Sequence, residues 1–414
     1  MFISIHSLDR RGDFLSTEAS GRSPNAPAAK IASPEFELEL ITTREQFDAL
    51  EADWNKLFAR SGRSTQLFQT FNWNWHWANV YLSKPSDGSF AVVTARRNGR
   101  LVMVWPLVVE RSFGLRVLSW MGAPVSQYGD VLAEQGPRLM PMLRETWNYL
   151  IAAIQPDAVK LNKTRADSIV APLLAELGGI ITQREEAPYL DLASAPTYAA
   201  YEERLSIKDR KNRRRHHRRL QEAGSVEVLT LAEGPDAADL AGKAVAMKRK
   251  WLGARGLVSP AVSDDRFAVF FRAAAGSVER PCGVRVSALT CAGTPTAMEI
   301  GLACRDRIAV HVLAYDTAFE KSGPGGVLME VLLAARLNEG VAIVDMMAPG
   351  GGYKRDWADA SVGVLDHAIG ISAAGVVYAR AYLGFARPRL KAAVEGLPAH
   401  RRRQIARIFN RSAD

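Results

Sequence analysis

Apolar positions change their spacing many times along this chain, and each change predicts an element. FELELITT, from Phe36, alternates as a half-buried strand does. REQFDALEADWNKLFARSG follows, with apolar residues three and four apart and Gly62 at its end, as in a helix. FAVVTARRNGRLVMVWPLVVER predicts two strands around an RNGR turn. RVLSWMG and YGDVLAE predict further strands, RLMPMLRETWNYLIAAI a helix, AVKLNK a strand and SIVAPLLAELGG a helix closed by glycine. The result is a mixed α/β unit ending near residue 195. SIKDRKNRRRHHRRLQEAG then predicts a basic helix closed by Gly224. Two more helices, DAADLAGKAVAMKRKWLGARG and DDRFAVFFRAAAGS, precede three antiparallel strands in VRVSALTCAGTPTAMEIGLACRDRIAVHVLAYD. A helix over 325–338, a strand VAIVDMM, a glycine turn and a strand VGVLDHAIG complete the pattern. The second half repeats the element order of the first. Two copies of one α/β fold are therefore expected, from element order alone.

Length agrees, because 414 residues exceed one ordinary core. Hydrophobic content of 48% and charged content of 23% are those of a globular chain and exclude a largely disordered one. Residues 1–35 lack periodicity and are expected to be a disordered tail. They hold no apolar h-region, and no apolar run reaches the roughly 18 residues of a membrane helix. Those absences predict a cytoplasmic protein, with peripheral contact at the inner membrane face left open. Cys282, Cys291 and Cys304 fit no zinc spacing and are expected as buried free thiols. The expected divisions are a tail 1–35, a domain 36–195, a basic linker helix 196–225, a domain 226–388 and a basic end 389–414. A net charge of +9 favours anionic partners without choosing among them.

Candidate chemistry lies in two glycine turns. Ser322-Gly323-Pro324-Gly325-Gly326 leads directly into a helix, where exposed N–H groups and the helix dipole suit a phosphate. It is neither G-x-x-x-x-G-K-[ST] nor G-x-G-x-x-G, and its preceding strand is expected in a meander rather than a βαβ unit. A plain tight turn is the competing reading. The second turn, Gly350-Gly351-Gly352, follows a strand carrying Asp345 and precedes Tyr353, Lys354 and Trp357. The run 208–219 is dense in Lys and Arg around His216 and His217, but no aromatic interrupts it to stack a base. A solvated linker helix, a contact to phosphate or a membrane surface, and a contact to tRNA all stay open. Phe71, Trp73, Trp75 and Trp77 at helical spacing are expected in a core. His311 and His367 are expected as core histidines, and no cluster has metal-ligand spacing.

The stretch AYDTAFEKSGPGGVLMEVLLAARLNEGVAIVDMMAPGGGYKRDW resembles the C-terminal half of GNAT acyltransferases of the cellulose-biosynthesis CelD type, related to the FemAB-like aminoacyl transferases. STQLFQTFNWNWHWANVY and MVWPLVVER resemble that family's N-terminal signature. SGPGG and APGGG depart from its usual turns. The resemblance spans roughly residues 37–385 and implies an α/β fold of two tandem GNAT-like domains with mixed, mainly antiparallel sheets.

It further implies transfer of an acyl group, acetyl above all, from acyl-CoA to an amine or hydroxyl of a bacterial cell-envelope sugar or polysaccharide precursor, such as those of cellulose or exopolysaccharide, with no metal. Ser322, Gly323, Gly325 and Gly326 would hold the pyrophosphate of acyl-CoA. Asp345 or Glu299 would be the base, Tyr353 or Tyr315 the acid, and Lys354 with Trp357 would bind an anionic acceptor. Two alternatives stand beside this reading. One is an aminoacyl-tRNA-dependent FemAB-like peptidyl transferase, and the other a non-catalytic GNAT-like partner in polysaccharide biosynthesis.

Overall fold

The computed structural model describes residues 30–32, 35–257, 259–278 and 282–397. The expected tail before residue 30, and the basic end beyond 397, lie outside the described residues. The chain forms two compact units. Its path leaves the first after Arg184 and returns to it at Leu365, so Glu185–Val364 make the second unit and 365–392 rejoin the first.

In the first unit, Lys30–Ala32 pairs with β1 (Glu37–Ile41), and β1 pairs with β2 (Val92–Arg97). β2 and β3 (Arg100–Trp105) form the expected hairpin, with Asn98 and Gly99 both at positive φ, as a two-residue type I′ turn needs. β4 (Leu107–Ser112) and β5 (Leu115–Trp120) are antiparallel, and β6 (Ala158–Arg165) joins β5 in parallel. Between β5 and β6 runs a sixteen-residue helix, α2 (Leu139–Ile154), after α1 (Phe71–Tyr81). The expected 44–62 helix is two, Arg44–Asp48 and Glu51–Ser61, and YGDVLAE contributes only Leu132–Ala133 as strand. Trp105 lies against Trp120 and Trp147 at 6.4 and 6.3 Å between centroids, the centre of the core. Phe71, Trp73 and Trp77 of α1 are buried, as expected, while Trp75 is half-buried beneath Arg44.

The pattern reading overlooked β7 (Ile180–Asp191). Its long polar run TQREE hid the alternation.

In the second unit, α3 (Ile207–Ala223) leads to β8 (Val226–Leu231), then α4 (Gly234–Ala254) and α5 (Asp265–Gly276). The meander β9 (Cys282–Cys291), β10 (Thr294–Cys304) and β11 (Arg307–Tyr315) follows as read. α6 (Pro324–Asn338) connects β11 to the short β12 (Ile343–Asp345), which lies parallel to β11. The strand before the first glycine turn is thus both the end of a meander and the start of a βαβ unit, which corrects the expectation. The spatial order is β8-β9-β10-β11-β12-β7, antiparallel apart from β11/β12. α7 (Tyr353–Trp357) and β13 (Ala360–Gly370) close the unit. All three cysteines are buried and none is in a disulfide.

Each unit has antiparallel strands followed by a helix and a parallel strand. The whole is a mixed α/β fold with mainly antiparallel sheets.

Candidate functional site

Two irregularities open the second unit's sheet at one place. Gly301 of β10 pairs with Val310 of β11 while Ile300 pairs with Val312, so His311 is an extra residue, a β-bulge. β12 meets β11 only at Arg307–Ala309, so β11 continues without that neighbour from Val310 to Tyr315. The strands part at the carboxyl end of a parallel pair, where open α/β sheets bind ligands.

Glu299 on β10 lies beside this opening, opposite Leu313. It is 1% exposed. Arg336 of α6, also buried, donates to its Oε1, while Oε2 is buried with no hydrogen-bond partner among the described residues. A Cβ at Gly301 would stand 3.0 Å from Glu299 Oε1, so glycine there leaves the pair its room. Tyr353 is 44% exposed as a residue. Desolvation of its phenol, and then the charge of Glu299, hold it above its usual range.

Asp345 ends β12 fully buried, with both oxygens engaged: Oδ1 accepts from Met347 N at 2.9 Å and Oδ2 from Arg307 Nη1 at 3.1 Å. Met347 has φ +58°, and the carboxylate secures this left-handed residue. Lys354 donates to Met347 O at 3.0 Å, and Arg355 to Gly350 O at 2.7 Å, so α7 braces the second glycine turn. Trp357 lies under the Arg213 guanidinium, 4.0 Å from ring centroid, and packs on an apolar cluster.

At the first turn, Ser322 ends a 3₁₀ turn and Gly323 stands at φ +56°. A Cβ on Gly323 would lie 2.7 Å from His216 Nδ1. Of the first helical donors, Pro324 has no N–H, and Gly326 and Val327 both donate to Gly323 O. Gly325 N–H has no backbone partner among the described residues, so the turn offers fewer donors than its sequence suggests. Nothing lies within 4 Å of a Cβ at Gly326, which marks the open side. Tyr315 lies 3.3 Å from a Cβ at Gly325. Its hydroxyl accepts from Arg255 at 2.6 Å and donates to Glu320 at 3.1 Å, a strap between α4 and the turn. Burial raises its pKa.

The charge of Glu299 is felt at Tyr353, and Tyr315 lies beside the glycine turn. Asp345 and Lys354 sit in the fabric of the second turn.

The basic run is not a free linker. Leu220 is buried, His217 Nε2 meets Glu330 Oε2 at 3.1 Å, and Arg219 donates to Lys321 O at 3.0 Å. Burial alone would raise Glu330, but bonds from His217 and Tyr198 outweigh it and lower its pKa. Burial, with Arg215 and Arg219 next, lowers His216. Lys208, Lys211, Arg214, Arg215 and Arg218 face outward and are exposed.

Arg336, Glu330 and Lys248 escaped the sequence reading. Lys248 donates to Leu313 O at 3.0 Å beside the bulge, and burial, then Arg255, lowers it to about 8. The available signal for the first two was a charge at a core-facing position of the apolar helix GVLMEVLLAARLN. His311 packs against Phe271 and Phe267, and His367 is buried, its pKa lowered by burial. Among the described residues no cluster of His, Cys, Asp or Glu could hold a metal, and no helix is long and apolar enough to cross a membrane.

A search of curated proteins returned no match. Among solved structures, a conserved protein of unknown function from Bacteroides thetaiotaomicron is 14% identical, with 77% of this chain and 97% of that one covered and a TM-score of 0.47. A tandem GNAT protein from the clavulanic acid biosynthesis pathway is 13% identical (81% and 98% covered, TM-score 0.46), and FemX 10% identical (71% and 91%, TM-score 0.49). These values are too low to carry function. The model of the acetyltransferase (GNAT) domain family matches residues 208–355, from the basic helix through the bulged sheet to α7, and gives the second unit of this chain a GNAT acetyltransferase domain.

Proposed function

We propose that this protein is an acyl-CoA-dependent acyltransferase whose reaction centre is the opening at the β11 bulge. The observation that carries the reading is Glu299 Oε2, a buried carboxylate oxygen beside that opening with no hydrogen-bond partner among the described residues. Leaving such an atom unpaired is costly unless a ligand uses it. The amine or hydroxyl of the acceptor attacks the thioester carbonyl carbon, a C–N or C–O bond forms, and the C–S bond breaks. Glu299 takes the nucleophile's proton. Tyr353, held protonated, returns one to the leaving thiolate. Backbone N–H groups along the β11 side of the opening would polarise the carbonyl. The open side of the Gly325–Gly326 turn receives the pyrophosphate.

The acceptor we favour is a sugar or polysaccharide precursor, as in the CelD-type resemblance, with the acetyl group as donor and the cytoplasm as the site of action. The first unit, with its own helix between parallel strands, is read as a second GNAT-like domain.

Isothermal titration with acetyl-CoA tests the donor. Gly326→Val points into open space, so the fold should persist while affinity falls tenfold or more, about 1.4 kcal/mol. Thiol release in a panel of amine and sugar acceptors tests the base. Glu299→Gln should lower kcat about 10²-fold or more with acetyl-CoA affinity unchanged. Stabilisation by aminoacyl-tRNA but not by acetyl-CoA would favour the peptidyl-transferase reading instead, and no binding of either would leave a non-catalytic partner.

A further inference from the structure

The first unit ends within a continuous helical run, residues 373–395, of which Tyr378–Ala386 is wound as a π-helix. Its inward face packs tightly. Tyr378, Ala379 and Leu383 join Val117 and Ala158 in one cluster, and Ser372 Oγ bonds Asp157 Oδ1 at 2.7 Å. The outward face is just as apolar. Val376, Val377, Phe385 and Leu390 are exposed, Val377 by 64% and Phe385 by 57%. In a π-helix, with bonds from i to i+5, residues four apart fall nearly in line. Val377, Ala381 and Phe385 therefore form a stripe. A helix apolar on both faces is normally covered on both.

A second feature adjoins it. The β4–β5 hairpin tip carries Phe113 at φ +52°, a conformation that costs a bulky residue strain. Phe113 is 54% exposed, with its ring 4.9 Å from that of Tyr382.

Charge says what covers this surface. No Asp or Glu occurs between Asp366 and Glu395, while Arg380, Arg387, Arg389 and Lys391 do. Arg389 stacks over Phe385 at 3.5 Å, an apolar stem with a cationic head. Residues 398–414 would be repelled, since they hold Arg401, Arg402, Arg403, Arg407 and Arg411 against Asp414 alone. A second copy would set the same cations against one another. Nucleic acid offers no apolar phase for Val376, Val377 and Leu390.

We propose that this face docks on an anionic lipid bilayer, with Val377, Phe385 and Phe113 in the interface and the arginines at the headgroups. The helix lies on the surface and does not span it. This does not depend on the reaction proposed for the second unit.

Co-sedimentation of the full chain with vesicles tests it. The chain should pellet with phosphatidylcholine vesicles containing about a third phosphatidylglycerol, bind at least about tenfold less to pure phosphatidylcholine, and lose binding as salt rises. Val377→Ser/Phe385→Ser should weaken binding about tenfold or more with the melting temperature unchanged, since both side chains face outward. Arg380→Gln/Arg389→Gln, made separately, should weaken only the anionic component. Absence of pelleting, or equal pelleting of wild type and Val377→Ser/Phe385→Ser, overturns the proposal. So does a dimer in solution that this variant converts to monomer without changing lipid binding.

Discussion

Two buried carboxylates in the second unit differ in what their oxygens find. Asp345 has a backbone N–H and a guanidinium, whereas Glu299 has one guanidinium and an idle oxygen. Asp345→Asn keeps the acceptor for Met347 but removes the charge facing Arg307, which is itself mostly buried. Breaking a buried ion pair costs about 3 kcal/mol. Asp345→Asn should therefore lower the melting temperature while kcat per folded molecule, from active-site-normalised thiol release, stays within about threefold. A loss of about 10²-fold at unchanged stability would make Asp345 the base after all. Sequence showed both acids but not this difference, because what decides it, the reach of Arg307 and Arg336 from other elements, has no local signature.

Among elements, α3 shows how charge can hide packing. Arg213, His216, His217 and Leu220 recur at spacings of three and four and face inward; the surrounding cations obscured that stripe. In the first unit Asp130 plays the tying role. Its carboxylate accepts from Val131 N and Val170 N on one oxygen and from Gln66 Nε2 and Ile169 N on the other, joining three chain segments. Burial raises it to about 6 from 3.8, against those bonds. Between about pH 4 and 6 the native state thus keeps a proton that the unfolded chain has released. Stability from this group is full below the unfolded value, falls as pH rises through the window, and is level above it. The loss amounts to about 3 kcal/mol. Urea unfolding at pH 4.5, 5.5 and 6.5 should show wild type losing stability relative to Asp130→Asn as pH rises. A constant difference would mean that Asp130 titrates normally.

The molecule as a whole is two units from one chain, the first of them discontinuous. Asp157 O accepts from Ile371 N and Ser372 N, and Gly375 passes so close that a Cβ would be 1.6 Å from that oxygen. A chain ending at residue 364 would strip this helix from Val117 and Ala158. Calorimetry should then show the first unit's transition fall by many degrees or vanish. Two unshifted transitions would show that 365–392 are dispensable to it.

Residues whose neighbours lie close in sequence were legible from the pattern alone. The hairpin at Asn98–Gly99, the three strands of the meander, the helix 324–338 and the buried tryptophans of α1 follow from turn chemistry and periodicity. The run from Tyr315 to Trp357 carried a resemblance of which the GNAT domain is matched by a family model. Short or irregular pairings were not legible. β12 is three residues long, β7 is polar along half its length, and the bulge at His311 exists only relative to a partner strand. The candidate reaction centre depends on the short β12 and the bulge. A carboxylate's partner, a strand's free edge and the outward face of a helix are set by contacts between segments far apart in the chain, and no local pattern records them.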